Sequence, residues 1–238
     1  FFKDGFYPTL QKSKNDSRLI SSILVRAILV NSASRINNMD STSRPLLNGG
    51  FGSIHLTNSI VLNPNETEVG FRVCDLVKIS SKDDLYTKIV INNKHSLDHP
   101  LKVSLSWLDP PLDSKSKMSL FADLDLYVLA PNKKIFYGNN KDFEDSHSST
   151  ERVIIDRPIE GEYQIHVYCH KLPINDTKID FSMVVNGPFN QTDFLTNPKF
   201  LKFNKTSECI GCNGLRCENS RCLCKENQTG IHCKSEVH

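Results

Sequence analysis

The chain is 238 residues long, 38% hydrophobic and 24% charged: enough apolar material for one large domain or two smaller ones, and too much for a disordered chain. Its 29 Lys and Arg nearly balance 27 Asp and Glu, for a net charge of +2, and no basic stripe is present. A nucleic-acid binder, which needs such a stripe, is excluded.

The first segment, residues 1–62, opens with Phe1-Phe2-Lys3-Asp4-Gly5-Phe6-Tyr7-Pro8, a helix end and a turn punctuated by Gly and Pro. Ile20, Ile23, Leu24, Ala27 and Ile28 then recur at the spacing of one helix face, with Asp16, Ser17 and Ser21 available as caps. This apolar run, Ile20–Val30, is short and broken by Arg26, and no run approaches the ~20 residues of a membrane span. A polar loop is expected at Ser32–Pro45. A tight turn follows at Asn48-Gly49-Gly50-Phe51-Gly52, and a short strand or turn at Ser53–Leu62 closes the segment.

Residues 63–189 change character. Strands are predicted near Val69–Ile79, Leu85–Ile91, Leu101–Leu108, Leu124–Leu129, Ile135–Tyr137, Glu151–Asp156, Tyr163–Cys169 and Lys178–Val185. Val103, Leu105 and Trp107 face one way, Lys102, Ser104 and Ser106 the other. Short antiparallel-type strands between polar turns, with no helical pattern between them, predict a mainly β fold, a jelly-roll-like β-sandwich. A polar linker with scattered Phe, residues 190–207, leads to a cysteine module at 208–234.

Six of the eight cysteines crowd into Cys209–Cys233. Such density means disulfides in an oxidising compartment, or a metal. Glycosylation sequons begin at Asn15, Asn65, Asn175, Asn190, Asn204 and Asn227. Sequons and cysteines together predict an exported protein: secreted, on the cell surface or in the secretory-pathway lumen.

The residues carry two resemblances. Phe2-Lys3-Asp4-Gly5-Phe6-Tyr7-Pro8, Ser21–Ala33 and Gly50-Phe51-Gly52-Ser53-Ile54-His55-Leu56 resemble, in order, the stretch after the serine helix, the late helix and the closing signature of the subtilases. Leu105-Ser106-Trp107-Leu108-Asp109-Pro110-Pro111, Ala122–Val128, Tyr137-Gly138-Asn139, Glu151-Arg152-Val153 and Pro158–Tyr163 resemble the β-sandwich appended to one branch of that family. The resemblance covers roughly residues 1–189 and implies the helical remnant of an α/β subtilase domain followed by its β-sandwich. The family's Asp, His and Ser motifs would lie upstream of Phe1, which opens in mid-element with no initiator Met or signal peptide. No triad residue carries over to this chain. The cysteine module resembles a small disulfide-rich EGF-like module, whose pairing would give Cys209–Cys217, Cys212–Cys222 and Cys224–Cys233; the sequence alone leaves the connectivity open.

Several residues invite sharper readings. Asp109, Asp123, Asp125, Asn139 and Asp142 could hold calcium, an oxygen-seeking ion. The plainer alternative, turn carboxylates solvated or bound to backbone, is favoured because the spacing is not that of an EF-hand. Zinc on Cys212, Cys217, Cys222 and Cys224 is disfavoured, since only Cys209 and Cys212 form a paired knuckle. His166 and His170 are expected on the exposed face of a strand, opposite Cys169. Cys169 is a candidate partner for Cys74. Trp107, the single tryptophan, is expected in the core. Ser104 and Ser106 near Asp109 lack a nucleophile elbow, so the chain by itself is expected to be inactive.

The leading expectation is the C-terminal portion of an exported subtilisin-like serine endopeptidase, acting on protein or peptide substrates. The chain would supply the end of the catalytic fold, a sandwich that braces it or aids substrate approach, and an EGF-like module with a protein or glycan partner. Catalysis would need no cofactor; calcium is a candidate ion only. The alternative is a non-enzymatic secreted or cell-surface adhesion or glycan-binding protein, or a pseudoprotease. If the native chain starts at Phe1, residues 1–62 have no α/β sheet to pack on, and their apolar helix is expected to be exposed and to aggregate.

Overall fold

The computed structural model describes residues 1–34, 49–60, 69–92, 99–112, 119–140, 144–172, 177–190 and 200–202, with two-residue strands at 217–218, 221–222, 228–229 and 235–236. The helix is α1 (Ser22–Ser32), with Ser21 as its N-cap: the Ser21 hydroxyl accepts from the Leu24 backbone N–H at 3.0 Å. Eight strands follow: β1 (Gly70–Ser80), β2 (Asp84–Ile91), β3 (Leu101–Trp107), β4 (Asp123–Leu129), β5 (Ile135–Tyr137), β6 (Thr150–Ile155), β7 (Gly161–Lys171) and β8 (Lys178–Gly187). Each of the eight predicted strands forms, with ends moved by at most two residues.

The strands make two antiparallel sheets, ordered β1-β8-β3-β6 and, with β9 (Leu201–Lys202), β5-β4-β7-β2-β9. Part of the expected linker is thus structural. Leu201 and Lys202 pair with Tyr86 and Leu85, and Phe200 meets Phe181 edge-on at 5.5 Å. The core lies between the sheets, where Leu105, Trp107 and Phe181 of one share a cluster with Leu124, Ile165 and Val167 of the other. Trp107 is fully buried, and its indole N–H donates to Ala122 O at 3.1 Å. Large buried side chains of this kind contribute about 1.5–3 kcal/mol each by leaving water.

A second cluster lies on the outer face of the four-stranded sheet. Leu24, Ala27 and Ile28 of α1, with Phe2, Tyr7 and Leu10, pack on Phe71, Val73 and Val184. The face predicted for the helix is thus its buried face, and the expectation that it would be exposed is corrected: the sandwich itself covers it. In the cysteine module, β10 (Cys217–Glu218) pairs with β11 (Arg221–Cys222), and β12 (Gln228–Thr229) with β13 (Ser235–Glu236). Cys217 and Cys222 are backbone partners in the first pair. Cys209, Cys212, Cys224 and Cys233 lie outside the described residues.

Candidate functional site

Two features could do chemistry or hold a partner: the seam under α1 and a group of carboxylates at the sandwich edge. The seam explains why the polar positions of β3 are buried. Along β3 every residue is buried, because one face meets the core and the other meets the first segment. Ser104 accepts from the Asn31 side-chain amide at 3.3 Å, and Ser106 accepts from Arg26 Nε at 2.5 Å. A second Arg26 nitrogen donates to Trp107 O. Arg152 on β6 donates to the carbonyls of Val30 and Ala33, at 2.9 and 3.0 Å, closing the helix C-terminus.

At the other end of α1, a bulge in β1 between Cys74 and Val77 re-aims Asp75 toward the helix start. Its carboxylate accepts from the Ser21 N–H (2.9 Å), the Ser21 hydroxyl (2.5 Å) and the Ser182 hydroxyl (2.7 Å). A carboxylate at a helix N-terminus also meets the positive end of the helix dipole.

The carboxylates gather where β6, the edge of the four-stranded sheet, meets β4 of the other. Glu151 of β6 is fully buried, and its Oε2 accepts from Leu126 N at 2.7 Å. Its Oε1 has no hydrogen-bond partner. Asp125 of β4 is 2% exposed with neither oxygen hydrogen-bonded; the Asp145 amide faces it outside hydrogen-bond geometry. One oxygen of Asp123 is likewise buried and unpaired. Gly138 sits directly over Glu151: a Cβ there would fall 2.2 Å from Oε2, so only glycine lets the loop close on the carboxylate. Next to it Asn139 takes a left-handed conformation, φ 58°. Its side chain ties the loop together by donating to Asp145 (2.7 Å) and Thr150 O (3.2 Å) and accepting from Arg152 N (3.1 Å).

Charge is concentrated here. Burial, then the charges of Asp145 and Glu144, pushes Asp123 up to about 6; exposed His147 opposes this. Burial, then the neighbouring acids Asp123, Glu144 and Asp145, raises Asp125 well above the usual carboxylate range. Burial and Asp125 do the same to Glu151. Buried carboxylates without donors are costly unless a proton or a cation joins them.

The predicted calcium set is only partly assembled. Asp123 and Asp125 are in the group. Asp109 serves backbone instead, accepting from Phe121 N and Ala122 N at 2.8 Å each, as the plainer alternative held. Asn139 is used by the loop network, and Asp142 lies outside the described residues. Glu151, Asp145 and Glu144 were not foreseen. A glutamate opening a predicted strand, in the Thr150-Glu151-Arg152-Val153 run, was the available signal. Among the described residues, no three His, Cys, Asp or Glu side chains already stand in the geometry of a ready-made metal site. Orphaned oxygens on Asp123, Asp125 and Glu151 nevertheless suit a hard cation.

Two other expectations are corrected. His166 is fully buried, not exposed. It lies on β7 directly between Tyr86 of β2 and Tyr127 of β4, its ring stacked on theirs at 5.3 and 4.5 Å. Its Nδ1 is 2.9 Å from Asp84 Oδ1 and 3.0 Å from the Tyr127 hydroxyl. Cys74 and Cys169, the suggested pair, are both free and buried; they belong to different sheets. Burial pushes each thiol up to about 12. Of the sequon asparagines, Asn15 is exposed and Asn190 half-buried, while Asn65, Asn175, Asn204 and Asn227 lie outside the described residues.

No known protein family matches this sequence, and no curated protein matches it either. Fold and site define a mainly β protein: two antiparallel sheets, one docked helix and a group of buried acids. No helix among the described residues is long and apolar enough to cross a membrane.

Proposed function

We propose that this chain is the C-terminal part of an exported subtilisin-like serine endopeptidase, in which the β-sandwich braces the end of the catalytic fold and takes calcium as a structural ion. The nucleophile, general base and orienting acid would stand upstream of Phe1, as the resemblance implies, and attack the peptide carbonyl through an acyl-enzyme. The observation that carries the bracing role is the seam. Asp75, Ser104, Ser106, Arg152 and Ser182 of the sandwich all engage residues 21–33, the stretch that resembles the late subtilase helix. A helix held this way transmits the sandwich's rigidity to whatever packs on its other side.

Strand order supports a jelly-roll reading of the sandwich, because β1 pairs with β8, β2 with β7, β3 with β6 and β4 with β5, as in a long hairpin rolled up. The cysteine module is an EGF-like interaction module on this reading, with a protein or glycan partner. Calcium would be held by Asp123, Asp125 and Glu151, whose unpaired oxygens support the assignment. It would neutralise acids that otherwise repel one another. Catalysis itself needs no cofactor. The message upstream of Phe1 tests the peptidase reading: Asp, His and Ser motifs in the family's order support it, and their absence leaves an adhesion or glycan-binding protein. Calcium that leaves the melting temperature of residues 1–238 unchanged refutes the ion.

A further inference from the structure

A cavity of about 420 Å³ opens at the seam between the first segment and the sandwich, lined by none of the carboxylates described above. Asn58 borders it on one side, and Val69, His99, Lys102, Ile154 and Asp156 on the other. This size falls within the range of small-molecule sites, roughly 300–1,000 Å³. Lys102 is 8% exposed, and its ammonium donates to Asn58 O. Among the described residues no carboxylate pairs with it. Lys102 stands on β3 two positions before Ser104, and its other electrostatic neighbour is a cation, Arg152. Among the described residues, exposed Asp156 and exposed His99 are the remaining titratable groups on the lining.

A buried ammonium beside a second cation, with one carbonyl for a partner, is short of negative charge. The cavity around it is half apolar, with Val69 and Ile154 on its walls. We propose that this cavity is a binding site for a small organic acid, its carboxylate paired with Lys102 and its short aliphatic body against Val69 and Ile154. A monoanion fits better than a phosphate, because the nearby Asp156 offsets part of the positive charge. Burial, then Arg152, lowers the Lys102 amine to about 8, so the neutral, nucleophilic form is accessible near physiological pH. A bound carboxylate would restore the proton.

The probe is isobutyrate, with isobutyramide as its neutral isostere. Acetylation of each lysine in residues 1–238 by acetic anhydride at pH 8 is followed by peptide mass spectrometry. With isobutyrate at ten times its dissociation constant, Lys102 is expected to react about tenfold more slowly, while exposed Lys178 is unaffected. Isobutyramide is expected to protect nothing. Isobutyrate should also raise the melting temperature, and Lys102→Met should abolish that rise. No protection by isobutyrate, equal protection by isobutyramide, or a rise that persists in Lys102→Met would each overturn the proposal. If Lys102→Met does not fold, the isobutyrate and isobutyramide comparison on the unaltered protein decides.

Discussion

Replacing Asp75 with alanine should undo the start of the helix seam. The carboxylate accepts three hydrogen bonds, two from Ser21 and one from Ser182, at 2.5–2.9 Å. Hydrogen bonds to a charged group contribute about 1.5–3 kcal/mol each, and a partner left without an acceptor adds a desolvation cost. Several terms reduce the sum. The Ser21 and Ser182 hydroxyls lie 3.4 Å apart and can turn to each other, the site is only half-buried, and Ser21 keeps its cap bond to Leu24 N. The expected net loss is about 3 kcal/mol, with Asp75→Asn losing about half of that. Urea unfolding of residues 1–238, read by far-ultraviolet circular dichroism, measures it. Asp180→Ala is the control, since Asp180 makes only an exposed ion pair with Lys78 at 3.0 Å, and such pairs contribute about 1 kcal/mol or less. Equal midpoints for Asp75→Ala and Asp180→Ala would refute the claim that the sandwich fastens the helix.

Three further outcomes are expected. Asp123 titrates near 6 in the folded protein against an ordinary 3.8, so between those values the native state keeps a proton that the unfolded state has released. Stability of the calcium-free protein therefore falls as pH rises from about 4 to about 6, by at most about 3 kcal/mol from this group. Calcium should reverse the trend; a calcium-free protein that gains stability over that range would contradict the acid-group account. Leu24→Ala, at a fully buried position of α1 against the sheet, should cost about 2–5 kcal/mol, and a change below about 1 kcal/mol in thermal unfolding would mean the helix face is not packed there. Native protein should show no fast reaction of Cys74 or Cys169 with a thiol reagent at pH 8, and both should react on unfolding; labelling at the rate of a free thiol in the folded state would contradict their burial.

Local pattern carried most of the fold. The Val103-Leu105-Trp107 alternation placed the core face of β3, and the Ile23-Leu24-Ala27-Ile28 spacing placed the packed face of α1. Polar residues were harder, because their partners are distant in the chain. Ser104 meets Asn31 and Ser106 meets Arg26 across a tertiary contact that no local period encodes. His166 reads as a solvent-side residue by alternation. Its burial comes from tyrosines placed on either side by the pairing of β2, β7 and β4, which register alone decides. Two of the acids were visible as Asp123-Leu124-Asp125, but Glu151 joins them only because β6, the edge of one sheet, meets β4 of the other.

The serine endopeptidase activity proposed for the longer polypeptide is open to direct chemistry. Its most direct test is active-site labelling of the native protein, captured with antibodies raised against residues 69–189 and treated with a fluorophosphonate. One labelled serine is expected, in a polypeptide that extends N-terminal to Phe1, with labelling lost after heating in a calcium chelator. An unlabelled native protein, or one whose mature chain starts at Phe1, would contradict it.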